Sequence, residues 1–274
     1  MELSKDLKIK LNTLISFLKE KKVIVAFSGG VDSSLLAFLS KMYAKETLLI
    51  TEQSVLYPEE EIEEASKFSA EYEIPHIIIK RDPLNSEQFK CNPLNRCYIC
   101  KTGLYNEIIN IKNSKKYDII LDGSNADDLV DYRPGMLALK ELEISTPYID
   151  ININKNEIRE ISKFYDLKVQ SKPSMACFSS RIPYGQIINE KKLYMIRESE
   201  KFLKSKFDLN QLRVRLHGEN LARIEFMLKD LSKILTMKNL NLIKNKLKEI
   251  GFTYITIDIE GFRSGSMNEV LDLK

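Results

Sequence analysis

Val23-Ile24-Val25-Ala26-Phe27-Ser28-Gly29-Gly30-Val31-Asp32-Ser33-Ser34 decides the fold of this chain. Val23 to Phe27 is a short apolar, β-favouring run of the kind that forms a parallel strand buried on both faces. Residues 33–43 read as a helix, so the strand feeds the helix through a glycine turn. Such a turn leaves backbone N–H groups unpaired at the positive end of the helix dipole. Two glycines let an anion approach the backbone with no Cβ in the way. Ser28, Ser33 and Ser34 add hydroxyl donors. Asp32 would repel a bare phosphate, so its expected work is to orient the loop or help hold Mg²⁺. No Gly-Lys-Ser/Thr run is present, which excludes the phosphate loop of GTPases and kinases, and the spacing does not fit the dinucleotide fingerprint. The plain alternative is a turn that only joins a strand to a helix.

Outward from this stretch, strand-like and helix-like segments alternate. Residues 3–21 carry leucines at helical spacing. Residues 47–51, 76–80 and 118–122 read as strands, residues 58–72 and about 100–111 as helices, and 123–135 as a polar loop. Alternation of this kind predicts an α/β fold with a parallel sheet covered on both faces. Further on the pattern changes. Helical segments at 154–165, 191–206 and 229–249 accompany strand-like runs at 212–216, 222–226 and 252–259, with a connector over 166–188. We therefore expect a domain over 1–185 and a smaller C-terminal α+β domain over 186–274.

Composition narrows the function. The chain has 274 residues, 43% hydrophobic and 30% charged, with 42 basic and 39 acidic side chains and a net charge of +3. That near-balance argues against a protein devoted to coating nucleic acid. No apolar run approaches the roughly 18 residues that span a bilayer, and residues 1–6 lack the core of a signal peptide. A cytoplasmic protein without a membrane or nucleic-acid partner is expected. In a reducing compartment Cys91, Cys97, Cys100 and Cys177 are metal ligands, catalytic groups or buried fillers before they are disulfides. With only His76 and His217 available, a metal site would rest mainly on sulfur or carboxylate.

The glycine turn resembles the Ser-Gly-Gly-Xaa-Asp-Ser/Thr loop of the ATP-pyrophosphatase superfamily, which grips the β- and γ-phosphates of ATP while AMP passes to a substrate. The resemblance implies ATP and Mg²⁺ at Ser28, Gly29, Gly30, Asp32, Ser33 and Ser34. Gly123, Asp128 and Arg133 follow the fourth strand, and strand C-termini line the ligand crevice of an open α/β sheet; all three are expected near the nucleotide.

Longer motifs narrow the resemblance. Asn95-Arg96-Cys97-Tyr98-Ile99-Cys100-Lys101, Leu121-Asp122-Gly123, Asp131-Tyr132-Arg133-Pro134-Gly135, Cys177-Phe178-Ser179-Ser180-Arg181-Ile182-Pro183-Tyr184-Gly185, Arg213-Val214-Arg215 and Gly261-Phe262-Arg263-Ser264-Gly265 are similar to the LarE family. That family comprises ATP-dependent sulfur insertases that make the nickel-pincer cofactor of lactate racemase. The resemblance covers almost the whole chain. It implies that carboxylates of pyridinium-3,5-dicarboxylate mononucleotide are adenylated and converted to thiocarboxylates, with release of AMP and pyrophosphate. One kind of member sacrifices the sulfur of a single cysteine, at the position of Cys177. Another holds a [4Fe-4S] cluster on three cysteines, and Cys97, Cys100 and Cys177 match that kind. A Cys-x-x-Cys pair can turn two thiolates to one cluster face, and Cys100 near a helix start would have its thiolate stabilised. A zinc site on all four cysteines, or plain buried thiols, are the alternatives. Cys91 has no role in the family pattern.

A substrate with two carboxylates and a phosphate needs cations. Arg213 and Arg215 sit two apart in a strand-like run and so share a face, and guanidinium forks suit both groups. Ser180, Arg181 and Arg263 lie in the motifs above. Glu200 matches an acidic family residue expected to bind Mg²⁺. For each arginine the alternative is a solvated surface cation. A sulfide or other sulfur donor and a homo-oligomer complete the expected partners. The rival functions are an amidating or tRNA-thiolating member of the superfamily, and a sensor that holds ATP without chemistry.

Overall fold

The computed structural model describes residues 2–129, 134–171, 176–263 and 265–269. In chain order the elements are α1 (Lys5–Leu18), β1 (Lys22–Ala26), α2 (Val31–Tyr43), β2 (Glu46–Gln53), α3 (Glu59–Glu71), β3 (His76–Lys80), α4 (Glu87–Lys90), α5 (Arg96–Lys115), β4 (Ile119–Leu121), α6 (Gly135–Glu141), α7 (Pro147–Asp150), α8 (Lys155–Phe164), α9 (Glu190–Phe207), β5 (Leu212–His217), β6 (Leu221–Phe226), α10 (Leu231–Ile234), α11 (Met237–Ile250) and β7 (Tyr254–Ile257). Among the described residues no helix is long and apolar enough to cross a membrane.

The chain forms two units. The first comprises residues 1–54, 58–83 and 95–175; the second comprises 55–57, 84–94 and 176–274. The main boundary lies at 175/176, and 84–94 returns to the second unit. Asn92 explains that return: it is fully buried, and its amide donates to the carbonyls of Ile182 (3.2 Å) and Pro183 (2.7 Å).

In the first unit the sheet order is β3-β2-β1-β4 and every pairing is parallel. The strands read as continuous apolar runs because both faces are covered. Val23, Val25, Leu49 and Leu121 join Leu14, Leu35, Ile158 and Ile161 on one side, while Ile24, Leu48, Ile50 and Ile120 join Tyr105, Ile108 and Leu139 on the other. This split follows from the two-residue repeat of a strand. The chain leaves β1 toward β2 on one side, and β4 flanks β1 on the other. The order thus reverses at β1/β4, where open α/β sheets bind ligands beyond the strand C-termini.

The second unit carries the sheet β5-β6-β7. β5 and β6 form an antiparallel hairpin and β7 runs parallel to β6. Leu212, Val214 and Leu216 alternate along β5 with Arg213 and Arg215, and all five are buried. Register sets Arg213 opposite Glu225 and Arg215 opposite Arg223, so one face of the hairpin is lined with charge.

Candidate active site

Gly29 takes φ +68°, and Gly30 caps α2 in extended conformation. The left-handed value at Gly29 is one that side chains with a Cβ adopt at a cost. Ser28 and Ser33 close the turn on itself: their hydroxyls lie 3.0 Å apart, the Ser28 N–H points to Ser33 Oγ at 3.3 Å, and Ser33 Oγ donates to the Gly30 carbonyl at 3.2 Å. Ser34 is fully buried and its hydroxyl meets no partner in the structure. Gly123 presses on this turn from β4. A Cβ there would stand 3.1 Å from the Ser33 nitrogen, tighter than ordinary packing. The turn and the loop after β4 are thus adjacent at the switch point.

Asp32 sits in the first turn of α2. Its Oδ2 accepts from Lys155 Nζ at 2.5 Å, while its Oδ1 is buried with no partner among the described residues. Burial raises the Asp32 pKa, and the Lys155 ammonium opposes that rise. Asp128 is buried too, with its carboxylate accepting from the Asn125 N–H at 3.0 Å, and its charge bears on Asp32. Two carboxylates, one with a free oxygen, fit a hard cation such as Mg²⁺. Arg133, with Asp131 and Tyr132 of its motif, lies outside the described residues.

α5 begins at Arg96 rather than near Cys100, with Asn95 at the N-cap position. Cys97 therefore occupies the first turn and Cys100 the second. They sit three apart on one helix, Cys97 exposed and Cys100 half-buried. Arg81 reaches across the same helix, and its Nη2 lies against the Cα of Gly103 where a Cβ would crowd it. That guanidinium pairs with Glu52 at 2.8 Å and Glu107 at 2.9 Å, and interacts with Cys100. Next along α5, Lys101 Nζ lies 3.1 Å from Asp122 Oδ2, which also accepts from the Tyr105 hydroxyl. Burial alone would raise the Asp122 pKa, but Lys101 and these hydrogen bonds hold it below its ordinary value.

Cys177 belongs to the second unit, half-buried at the head of a 3₁₀ turn over Phe178–Arg181. Its Sγ lies 2.9 Å from Ser179 Oγ. The turn is bound by its own arginine. Arg181 Nη1 donates to the carbonyls of Ala176 (2.6 Å) and Cys177 (3.0 Å) and to Ser180 Oγ (3.0 Å). The other two nitrogens of Arg181 fork onto Glu200 at 2.9 and 3.0 Å. Arg215 donates to the Ser180 carbonyl (3.1 Å), Glu225 (2.8 Å) and Ser266 Oγ (3.0 Å). Arg213 donates to the Leu212 carbonyl and lies over the Phe262 ring, 5.2 Å from its centroid. Arg181, Arg213 and Arg215 lie with Glu200 and Glu225 in the interior of this unit, all at most 5% exposed. Burial, with the nearby Arg181 charge, lowers the Arg213 pKa to about 10.

Two expected site residues are placed differently. Glu200, anticipated as a Mg²⁺ ligand, spends Oε1 on Arg181 and the Val214 N–H and Oε2 on Arg181. It is fully buried, and although burial would raise its pKa, the Arg181 charge and hydrogen bonds, with Arg213 and the Val214 N–H, together keep it low. Its geometry is that of a residue positioning Arg181. Arg263 is only partly buried and is shared among Asp258, Glu260 and Glu269. Glu225, Ser266, Arg81 and Lys155 were not picked out from the sequence. Glu225 was legible as the cross-strand partner of Arg213; the others depend on contacts distant in sequence.

Cys97 and Cys100 belong to the first unit and Cys177 to the second. Among the described residues no group of three or more His, Cys, Asp or Glu side chains is gathered to hold a metal ion. The thiol pair on α5 thus offers two of the three ligands expected of a cluster, and Cys177, in the second unit, is the expected third.

No protein-family model matches the chain. It is 35% identical over 97% of its length to an uncharacterised protein of Synechocystis sp., 99% of which is covered. It is 36% identical over 96% of its length to one of Methanocaldococcus jannaschii, covered to 98%. With the pyridinium-3,5-bisthiocarboxylic acid mononucleotide synthase of Lactiplantibacillus plantarum it shares 30% identity over 96% of this chain and 95% of that protein. The chain belongs to the LarE family. Membership spans both units, so the glycine turn and the arginine-lined Cys177 turn fall together within one family alignment.

Proposed function

We propose that the chain is an ATP-dependent sulfur insertase acting on a small mononucleotide that bears carboxylates, with pyridinium-3,5-dicarboxylate mononucleotide as its substrate. The observation that carries the reading is the pair of buried guanidinium groups, Arg181 and Arg215, bound to the Cys177–Arg181 turn beside a half-buried thiol. Buried arginines are retained where carboxylate or phosphate must be recognised.

The first unit supplies ATP binding. Backbone N–H groups at Gly29 and Gly30, hydroxyls of Ser28, Ser33 and Ser34, and the α2 dipole draw the β- and γ-phosphates. Asp32, with its open Oδ1, and Asp128 would hold Mg²⁺, which neutralises charge on the departing phosphates. A substrate carboxylate oxygen attacks the α-phosphorus, the bond to the β-phosphate oxygen breaks, and pyrophosphate leaves. In the resulting acyl-adenylate AMP is the leaving group. A hydrosulfide then adds to the carbonyl carbon and the C–O bond to AMP breaks, giving a thiocarboxylate, AMP and one proton. The second unit supplies the substrate cations: Arg213 and Arg215 bind its anionic groups, while Arg181 and Ser180 fix the turn carrying Cys177. A [4Fe-4S] cluster on Cys97, Cys100 and Cys177 is the proposed store of that sulfur.

The test is anaerobic purification with iron, zinc and acid-labile sulfide analysis, repeated for Cys97→Ala, Cys100→Ala and Cys177→Ala. The reading expects iron and sulfide in the wild type and their loss in each variant. Zinc without sulfide sinks the cluster. Loss of the Cys177 sulfur on turnover, detected by mass, replaces the cluster with a sacrificial cysteine and leaves sulfur insertion standing.

A further inference from the structure

An aspartate at the mouth of an anion-binding turn is a physical contradiction. Asp32 would repel the phosphates that the backbone around it attracts, and a carboxylate this close to a bound polyphosphate must be neutralised. The structure shows what neutralises it: Lys155, whose Nζ lies 2.5 Å from Asp32 Oδ2.

Lys155 is delivered from an anchored position. It is the first residue of α8, and Asn154 before it forms a capping box with Glu157. The Asn154 side chain accepts from the Glu157 N–H at 2.9 Å, and Glu157 accepts from the Asn154 N–H at 2.8 Å. The other oxygen of Glu157 holds Lys10 at 2.7 Å, and the Lys155 backbone N–H donates to Asp127 at 3.0 Å. The backbone is thus pinned at three points, while the side chain is 24% exposed on a flexible stem. Only one Nζ donor is used on Asp32, and a lysine ammonium carries three. Meanwhile Asp32 Oδ1 is buried without a partner among the described residues, an oxygen disposed for a metal. A cation arriving there displaces the need for Lys155.

We propose that Lys155 is a mobile phosphate-binding cation of the glycine-loop site: it neutralises Asp32, and moves onto the pyrophosphate moiety of Mg·ATP when Asp32 takes up the metal. No covalent bond is involved; one ion pair is exchanged for another. A compact ammonium on a four-carbon stem suits that exchange better than a rigid guanidinium fork. The inference rests on the ATP-binding reading of the turn.

The experiment measures binding of inorganic pyrophosphate with Mg²⁺, and of AMP, by calorimetry. The proteins are the wild type, Lys155→Met, Asp32→Asn and the double variant, each shown to be folded by thermal melting. Lys155→Met is expected to weaken pyrophosphate about ten- to a hundredfold, the worth of one charge-assisted hydrogen bond, and to leave AMP unchanged. The same loss is expected on adding Lys155→Met to Asp32→Asn. Should Lys155→Met not fold, Lys155→Gln takes its place, and Lys155→Arg, which keeps the charge, should stay within about threefold of the wild type. Unchanged pyrophosphate binding overturns the proposal. So does a loss that disappears in the Asp32→Asn background, since Lys155 would then serve only to silence Asp32. A wild type that binds neither ligand refutes the glycine-loop reading itself, and this inference with it.

Discussion

The glycine turn of the first unit and the cysteine turn of the second solve the same problem, holding negative charge, by opposite means. The first uses backbone N–H groups, hydroxyls and a helix dipole, and admits Asp32 and Asp128 with Lys155 as the cation on Asp32. The second buries three guanidinium groups and ties them down with Glu200 and Glu225. A site made of backbone dipoles needs a metal to complete it and keeps its chemistry general. A site made of forked cations is specific in shape and costly to build, because each buried charge must be paired. On the proposed function, the first kind of site would take the nucleotide and the second the substrate.

The comparison breaks most visibly at Arg181. Arg181→Ala leaves Glu200 buried without its fork, and should cost about 3–5 kcal/mol of stability in chemical denaturation. Pairing it with Glu200→Leu should recover most of that loss. A cost near zero would mean that the arginine face is not the rigid element described. Arg215→Ala should weaken substrate binding about tenfold or more at the loss of a charge-assisted pair, with ATP binding unaltered. Equal losses for both ligands would erase the division of labour. Gly123→Ala should do the reverse. Its Cβ would crowd the Ser33 nitrogen, costing about 1–3 kcal/mol in overpacking, and should raise the KM for ATP while sparing the arginine face.

Smaller effects sharpen the contrast. Asn154→Ala removes the cap that fixes Lys155, and should cost about 1 kcal/mol in thermal unfolding. pH separates the two units less sharply. Burial, with Arg223 and Arg215 nearby, holds the His217 pKa below 6.5. A base whose folded pKa is depressed binds more protons when unfolded, so stability is full above 6.5 and falls as acidification passes through the folded pKa. His217→Gln should flatten that slope; a slope unchanged by the substitution would assign it to other groups, His76 among them.

Much of the fold could be read in advance, for a local reason. β1, the glycine turn and α2 are consecutive, so periodicity and turn chemistry decide them together. His76–Lys80 forms its strand at the limits expected. What escaped depends on distant partners. α6 and α7, of seven and four residues, are too short for periodicity to declare, and their formation rests on packing by Leu139 and Tyr148. The start of α5 carries little local signal, since Asn95 at its N-cap makes no side-chain capping hydrogen bond. Within the site, Arg213 and Arg215 were legible from strand alternation. Lys155 was not, since 123 residues separate it from Asp32.

The central claim is that this chain uses ATP to exchange carboxylate oxygen for sulfur. Incubation of anaerobically purified protein with Mg·ATP, sulfide and pyridinium-3,5-dicarboxylate mononucleotide, followed by mass spectrometry of the small molecules, tests it directly. The account predicts oxygen-for-sulfur replacement in the mononucleotide, with one AMP and one pyrophosphate per sulfur inserted. ATP consumed to AMP with an amide or no new product, or no ATP consumed with substrate present, would contradict it.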